Sequence, residues 1–116
     1  MSTNSRIYHN PRCSKSRQTL ALLEEAGIEP QVVRYLETPL TEAELSDILT
    51  KLNLPAHDLL RPKEAPYQAC GLSKDSDTAQ ILQAIVEHPI LLERPIVVHK
   101  NKAVIGRPPE KIQELL

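Results

Sequence analysis

The first forty residues alternate between two patterns, and this alternation limits the fold more than any other feature of the chain. "RIYHN", Arg6 to Asn10, is short, carries a β-branched and an aromatic residue, and is stopped by Asn10-Pro11, as a strand would be. From Ser14 onward, apolar residues at Leu20, Leu23 and Ala26, with Ala21 and Leu22 on the neighbouring face, follow a 3.6-residue period that closes at Gly27. That period predicts a helix. "QVVRYLE", Gln31 to Glu37, then reads as a second strand. Strand, helix and strand in this order need a crossover, so the strands are expected to lie parallel with a right-handed connection.

The middle of the chain is helical by the same criteria. Thr41 followed by Glu44 is a capping box that leads into Leu45, Ile48, Leu49 and Leu52. Short helical pieces are expected over Ala56 to Leu60 and Pro62 to Cys70, and "DTAQILQAIVEHP" gives a longer amphipathic helix that ends before Pro89. The character then changes. "RPIVVHKNKAVIGRP" alternates like a hairpin, with strands Ile96 to His99 and Ala103 to Gly106 around a turn at Lys100-Asn101, and Pro108-Pro109 opens a last helix to Leu115. No repeat, linker or low-complexity tract interrupts this order, and residues 1–116 are read as a single domain.

The order β, α, β, helices, β, β, α predicts an α/β chain of thioredoxin-like, glutaredoxin-type layout: a mixed sheet with a helical insertion. In that layout the proline that opens the hairpin is cis and faces the active cysteine, so the Arg94-Pro95 bond is expected to be cis. Composition adds one constraint. The chain has three Tyr but no Phe or Trp, so its core must be built from Leu, Ile, Val and Ala.

Charge and cysteine content exclude several classes of function. A net charge of -1 gives no overall attraction to nucleic acid or to an anionic membrane. No stretch approaches the ~18 apolar residues of a membrane span, and "MSTNSRIYHN" lacks the apolar run of a signal peptide. A cytoplasmic protein is expected, without nucleic-acid or membrane partners. Cys13 and Cys70 form no C-x-x-C, and His9, His57, His88 and His99 are too scattered for ligand spacing. Neither a disulfide framework nor a metal site is expected.

Cys13 is the residue that carries chemistry. It follows Asn10-Pro11-Arg12 at the junction of the first strand and helix, and the first carboxylate in the chain is Glu24. Unpaired backbone N–H groups at a helix N-terminus, the helix dipole and neighbouring cations all favour a thiolate. His9, Arg12, Lys15 and Arg17 are the candidate cations; Ser14 and Ser16 can donate hydrogen bonds, unless Ser14 serves only as the helix cap. Cys70, in "YQACGLS", has no such surroundings and is read as structural or incidental. Arg61, Arg94 and Arg107 each stand beside a proline at an element boundary. In the thioredoxin-like layout the residue before the cis-proline faces the cysteine, which brings Arg94 to the sulfur, and Arg107 at the end of the hairpin can follow it. Guanidinium groups bind tetrahedral oxyanions bidentately, so a thiolate ringed by arginines suggests a substrate such as phosphate, sulfate or arsenate.

"YHNPRCSKSR", "LLR" at Leu59 to Arg61, "HPILLERPIVV" at His88 to Val98 and "GRPPE" at Gly106 to Glu110 together resemble the glutaredoxin-linked arsenate reductase family. The similarity spans essentially the whole chain, and H-N-P-x-C-x-x-S-R is its specific element. The resemblance implies an arsenate reductase in which Cys13 attacks arsenate, Arg61, Arg94 and Arg107 hold the oxyanion, and His9 supports the thiolate; Ser16, as a hydrogen-bond donor, and Arg17, as a nearby cation, are read from their place beside Cys13 as further support for the thiolate. It implies glutathione as co-substrate and glutaredoxin as partner; a monomer without a bound cofactor is expected. Two other functions share the layout. Polymerase-binding regulators of the Spx type sense redox through C-x-x-C, whereas this chain has Cys13-Ser14-Lys15-Ser16; a general glutathione-dependent thiol oxidoreductase has no evident use for three arginines.

Overall fold

A computed structural model describes residues 5–116. The chain divides into two compact units, one formed by the described residues up to Thr38 with Arg94–Leu116, the other by Pro39–Glu93.

The first unit holds the sheet. Strands β1 (Ser5–Tyr8), β2 (Gln31–Val33), β3 (Ile96–His99) and β4 (Lys102–Ile105) lie in the order β2-β1-β3-β4, with helix α1 (Ser14–Glu25) between β1 and β2. The β1 and β2 strands pair parallel, as the crossover requires, while β1 with β3 and β3 with β4 are antiparallel. Ile7 and Val97 face each other across the two central strands. They form one core cluster with Leu23 of α1 and with Ile112 and Leu115 of a 3-10 helix, Pro109–Leu115. Each aliphatic side chain buried in this way contributes roughly 1.5–3 kcal/mol.

Several boundaries differ from the sequence expectation. The first strand ends at Tyr8, not Asn10, because Asn10 turns the chain: its carbonyl accepts the Cys13 N–H at 3.0 Å, while His9 N–H still bonds the Val33 carbonyl at 2.8 Å. The second strand stops at Val33 instead of Glu37. Glu37 and Thr38 N–H groups both close on the Arg34 carbonyl at 2.9 Å, and this turn carries Tyr35 into full burial. The last helix is 3-10, a geometry in which Ile112 and Leu115, three apart, fall on the same side. In the hairpin, Lys102 rather than Ala103 begins the strand, since it pairs with His99 across the Lys100-Asn101 turn, and the strand ends at Ile105. Arg94-Pro95 is cis as expected, and Arg107-Pro108 is cis as well.

The second unit is helical, with α2 (Glu42–Leu52), a 3-10 turn (Ala56–Leu59), α3 (Ala65–Ala69), α4 (Thr78–Glu87) and a 3-10 turn (Pro89–Leu91). The capping box of Thr41 and Glu44 forms as read, and a second one, Asp77 with Gln80, opens α4. Such a cap contributes about 1 kcal/mol. Helix α2 buries Leu45, Ile48 and Leu52, and α4 buries Ile81, Leu82, Ala84 and Ile85 against α2 and the Ala56–Leu59 turn. The piece expected over Pro62 to Cys70 is helical only from Ala65, after a turn closed by Glu64 N–H on the Arg61 carbonyl at 3.1 Å. Leu60 bridges Leu92, and Arg61 N–H bonds the Leu91 carbonyl at 2.8 Å, so the backbone at Arg61 is fixed from both sides.

Candidate active site

Cys13 is the N-cap residue of α1, a position usually held by Ser, Thr, Asp or Asn. Its sulfur stands where a capping oxygen would. The N–H groups of Lys15 and Ser16, which nothing within the helix can accept, face it without closing a regular capping hydrogen bond. Ser14 is therefore the first helical residue and not the cap.

Two arginines complete the surroundings. Arg107 Nη2 lies 3.5 Å from Cys13 Sγ, and the Arg94 guanidinium stands beside the same sulfur as donor and as charge. Burial by itself raises the Cys13 thiol, yet the Ser16 N–H, Arg94 and the Lys15 N–H outweigh it and hold the group below its ordinary value. Arg94 shows the reciprocal effect. Burial alone would lower it, but the Cys13 sulfur and Tyr35 hold its charge more firmly than usual. The result is a buried, single-cysteine nucleophile opposite fixed positive charge, able to attack an electrophile that carries anionic oxygens.

Behind the sulfur lies a second layer. Ser16, fully buried, accepts the Asn10 N–H at 3.1 Å and meets His9 Nδ1 at 2.6 Å, while Asn10 Oδ1 accepts the Arg12 N–H at 3.0 Å. His9 is thus joined to the thiolate through Ser16. Burial first, then the fields of Arg34 and Arg17, lower the imidazole below its usual 6.5, so near neutral pH it is an uncharged hydrogen-bond partner rather than a cation. Arg17 braces the loop by donating to the Pro11 carbonyl at 2.8 Å. Arg12 and Lys15 side chains are exposed.

The structure brings Cys13, Arg94 and Arg107 together in the first unit. Arg61 belongs to the second unit, where Nη1 pairs with Glu93 at 2.9 Å and Nε with Glu64 at 3.4 Å. Cys70 is exposed at the end of α3 and unbridged. Sequence reasoning missed Asn10 and Tyr35. Asn10 had a readable signal, since Asn before Pro favours a side-chain-closed turn. Tyr35 has none, because it lies within the strand-like run "QVVRYLE".

The sheet, its antiparallel hairpin, the helical insertion and a cysteine at the first helix define a thioredoxin-like α/β protein. A sequence model of the ArsC family matches residues 8–115, and the chain belongs to that family. An arsenate reductase of Neisseria meningitidis serogroup B is 50% identical over 96% of this chain and 97% of its own. The uncharacterized protein YfgD of Escherichia coli K12 is 51% identical over 100% of this chain and 99% of its own. The solved arsenate reductase of Vibrio cholerae superposes with a TM-score of 0.93 at 45% identity, covering 100% of both chains. Among the described residues, no helix is long and apolar enough to cross a membrane.

Proposed function

We propose that this protein is an arsenate reductase that uses the Cys13 thiolate as nucleophile and glutathione with glutaredoxin as reductants. The observation that supports this reading best is the sulfur of Cys13 at the N-terminus of α1 with Arg107 Nη2 at 3.5 Å and Arg94 beside it. A thiolate alone serves many reactions. A thiolate paired with two guanidinium groups suits a tetrahedral oxyanion, whose oxygens they neutralise while sulfur approaches the central atom.

In the first step sulfur attacks arsenic(V), and one arsenate oxygen leaves as water after protonation, giving a cysteine–arsenate adduct. Glutathione thiolate then attacks Cys13 Sγ. The S–S bond forms, the S–As bond breaks, and its electron pair stays on arsenic, which leaves as arsenite. Thiol–disulfide exchange with glutaredoxin returns Cys13 to the thiol. Arg61 is assigned to the oxyanion on the resemblance of "LLR", and His9, Ser16 and Arg17 to support of the thiolate and its loop.

Arsenite release tests the reductants. Measured with glutathione and glutaredoxin, it should proceed; with glutathione alone it should stop after one turnover, leaving a glutathione adduct on Cys13 visible as added mass. Equal sustained turnover with a thioredoxin system and no glutathione would overturn the glutathione assignment.

A further inference from the structure

Gly106 lies between β4 and Arg107, and the space for a side chain there is occupied. A Cβ at this position would sit 2.7 Å from Thr19 Oγ1, 2.9 Å from Pro95 Cγ and 3.1 Å from Thr19 Cγ2. None of these atoms yields easily. Thr19 is β-branched, fully buried in α1, and its hydroxyl bonds the Lys15 carbonyl at 2.8 Å. Pro95 is a rigid ring, buried, whose carbonyl accepts the Gly106 N–H at 2.8 Å.

Each of the three contacting residues is tied to a group that faces the sulfur. Thr19 holds Lys15, whose N–H is directed at Cys13; Pro95 follows Arg94; Gly106 precedes Arg107. We infer that Gly106 is a positioning residue: the absence of a side chain lets Thr19 and the Pro95 ring close on the end of β4, and this contact sets the spacing of Arg94 and Arg107 from the Cys13 sulfur. Unlike Gly27, at φ 80, Gly106 is needed for room and not for a left-handed backbone.

The test compares Gly106→Ala with Gly27→Ala. Gly27 is in the same unit and has nothing within 4 Å of its Cβ position, so its substitution strains the backbone without touching the site. The pH midpoint of Cys13 alkylation by iodoacetamide is measured in Cys70→Ser backgrounds, with melting temperature alongside. Gly106→Ala is expected to raise that midpoint and slow alkylation in the acid range about threefold or more, whereas Gly27→Ala lowers the melting temperature and keeps the wild-type midpoint. An unchanged midpoint in Gly106→Ala, or an equal shift in Gly27→Ala, would overturn the inference. Should Gly106→Ala not fold, Thr19→Ala/Gly106→Ala, which relieves the Thr19 contacts but keeps the Pro95 Cγ contact at 2.9 Å beside Arg94, is compared with Thr19→Ala alone: a higher midpoint in the double variant supports the role, and an identical one overturns it. The thiol measurement stands without arsenate. On the reading proposed above, Gly106→Ala also raises the arsenate KM; a wild-type protein that never turns over arsenate would sink that reading and leave the positioning result intact.

Discussion

Arg107 Nε donates to the Arg94 carbonyl oxygen at 2.7 Å, while its Nη2 reaches Cys13 Sγ at 3.5 Å. One guanidinium therefore spans the backbone that carries Arg94 and the sulfur that both arginines face. Arg94 and Arg107 act as a unit.

The unit predicts non-additive losses. Arg94→Ala and Arg107→Ala should each lower kcat/KM for arsenate about 10–100-fold, the range for a charged hydrogen bond. The double variant should lose clearly less than the product of the two, because Arg107→Ala already disturbs Arg94. Strictly multiplicative losses in steady-state kinetics would show the two to be independent.

The lowered Cys13 thiol predicts a sign for stability. An acid whose folded value is depressed stabilises the fold above its unfolded value, here the ordinary 9.0, and loses that contribution as pH falls through the folded value. Relative to Cys13→Ser, the wild-type melting temperature should therefore rise with pH up to about 9.0 and level off beyond it. A wild-type advantage that grew toward acid would contradict the assignment.

His9 predicts a titration below 6.5, with burial as the main cause and Arg34 as the next. Arg34→Ala should move the midpoint of the His9 imidazole resonance upward, read by NMR as chemical shift against pH. Because the unfolded imidazole takes its proton first as pH falls below 6.5, His9 also opposes folding there. A midpoint above 6.5 would mean that the imidazole is held as a cation after all.

Ser16→Ala removes the hydroxyl shared by His9 Nδ1 and the Asn10 N–H, leaving buried polar groups without that partner. The expected cost is about 1–3 kcal/mol in denaturant unfolding. The thiolate should largely survive, since the Ser16 contribution to the sulfur comes from its backbone N–H. Complete loss of low-pH alkylation in a folded Ser16→Ala would assign the hydroxyl a direct role.

The parts of this architecture written into local patterns were legible in the sequence. The parallel pair, α1 closing at Gly27, the Thr41 capping box and the hairpin all follow from periodicity and turn residues within a few positions of one another. What stayed hidden depends on partners far along the chain. Tyr35 is buried where it meets the Arg94 guanidinium from the far end of the chain, and Gly106 is bare because Thr19, 87 positions earlier, fills its place. The buried stripe of α1 begins with Ser16 and Thr19, two hydroxyl residues that an apolar period passes over. Cys13 itself could be read because its anion site is local, made by the helix it caps. Cooperation between Arg94 and Arg107 could not, as it rests on a hydrogen bond across 13 residues.

The most direct measurement is arsenate-dependent NADPH oxidation, coupled through glutathione, glutaredoxin and glutathione reductase, for the native protein beside Cys13→Ser. Turnover should saturate with arsenate and vanish in Cys13→Ser. Turnover that persists in Cys13→Ser, or none in a native protein whose Cys13 alkylates readily in the acid range, would contradict it.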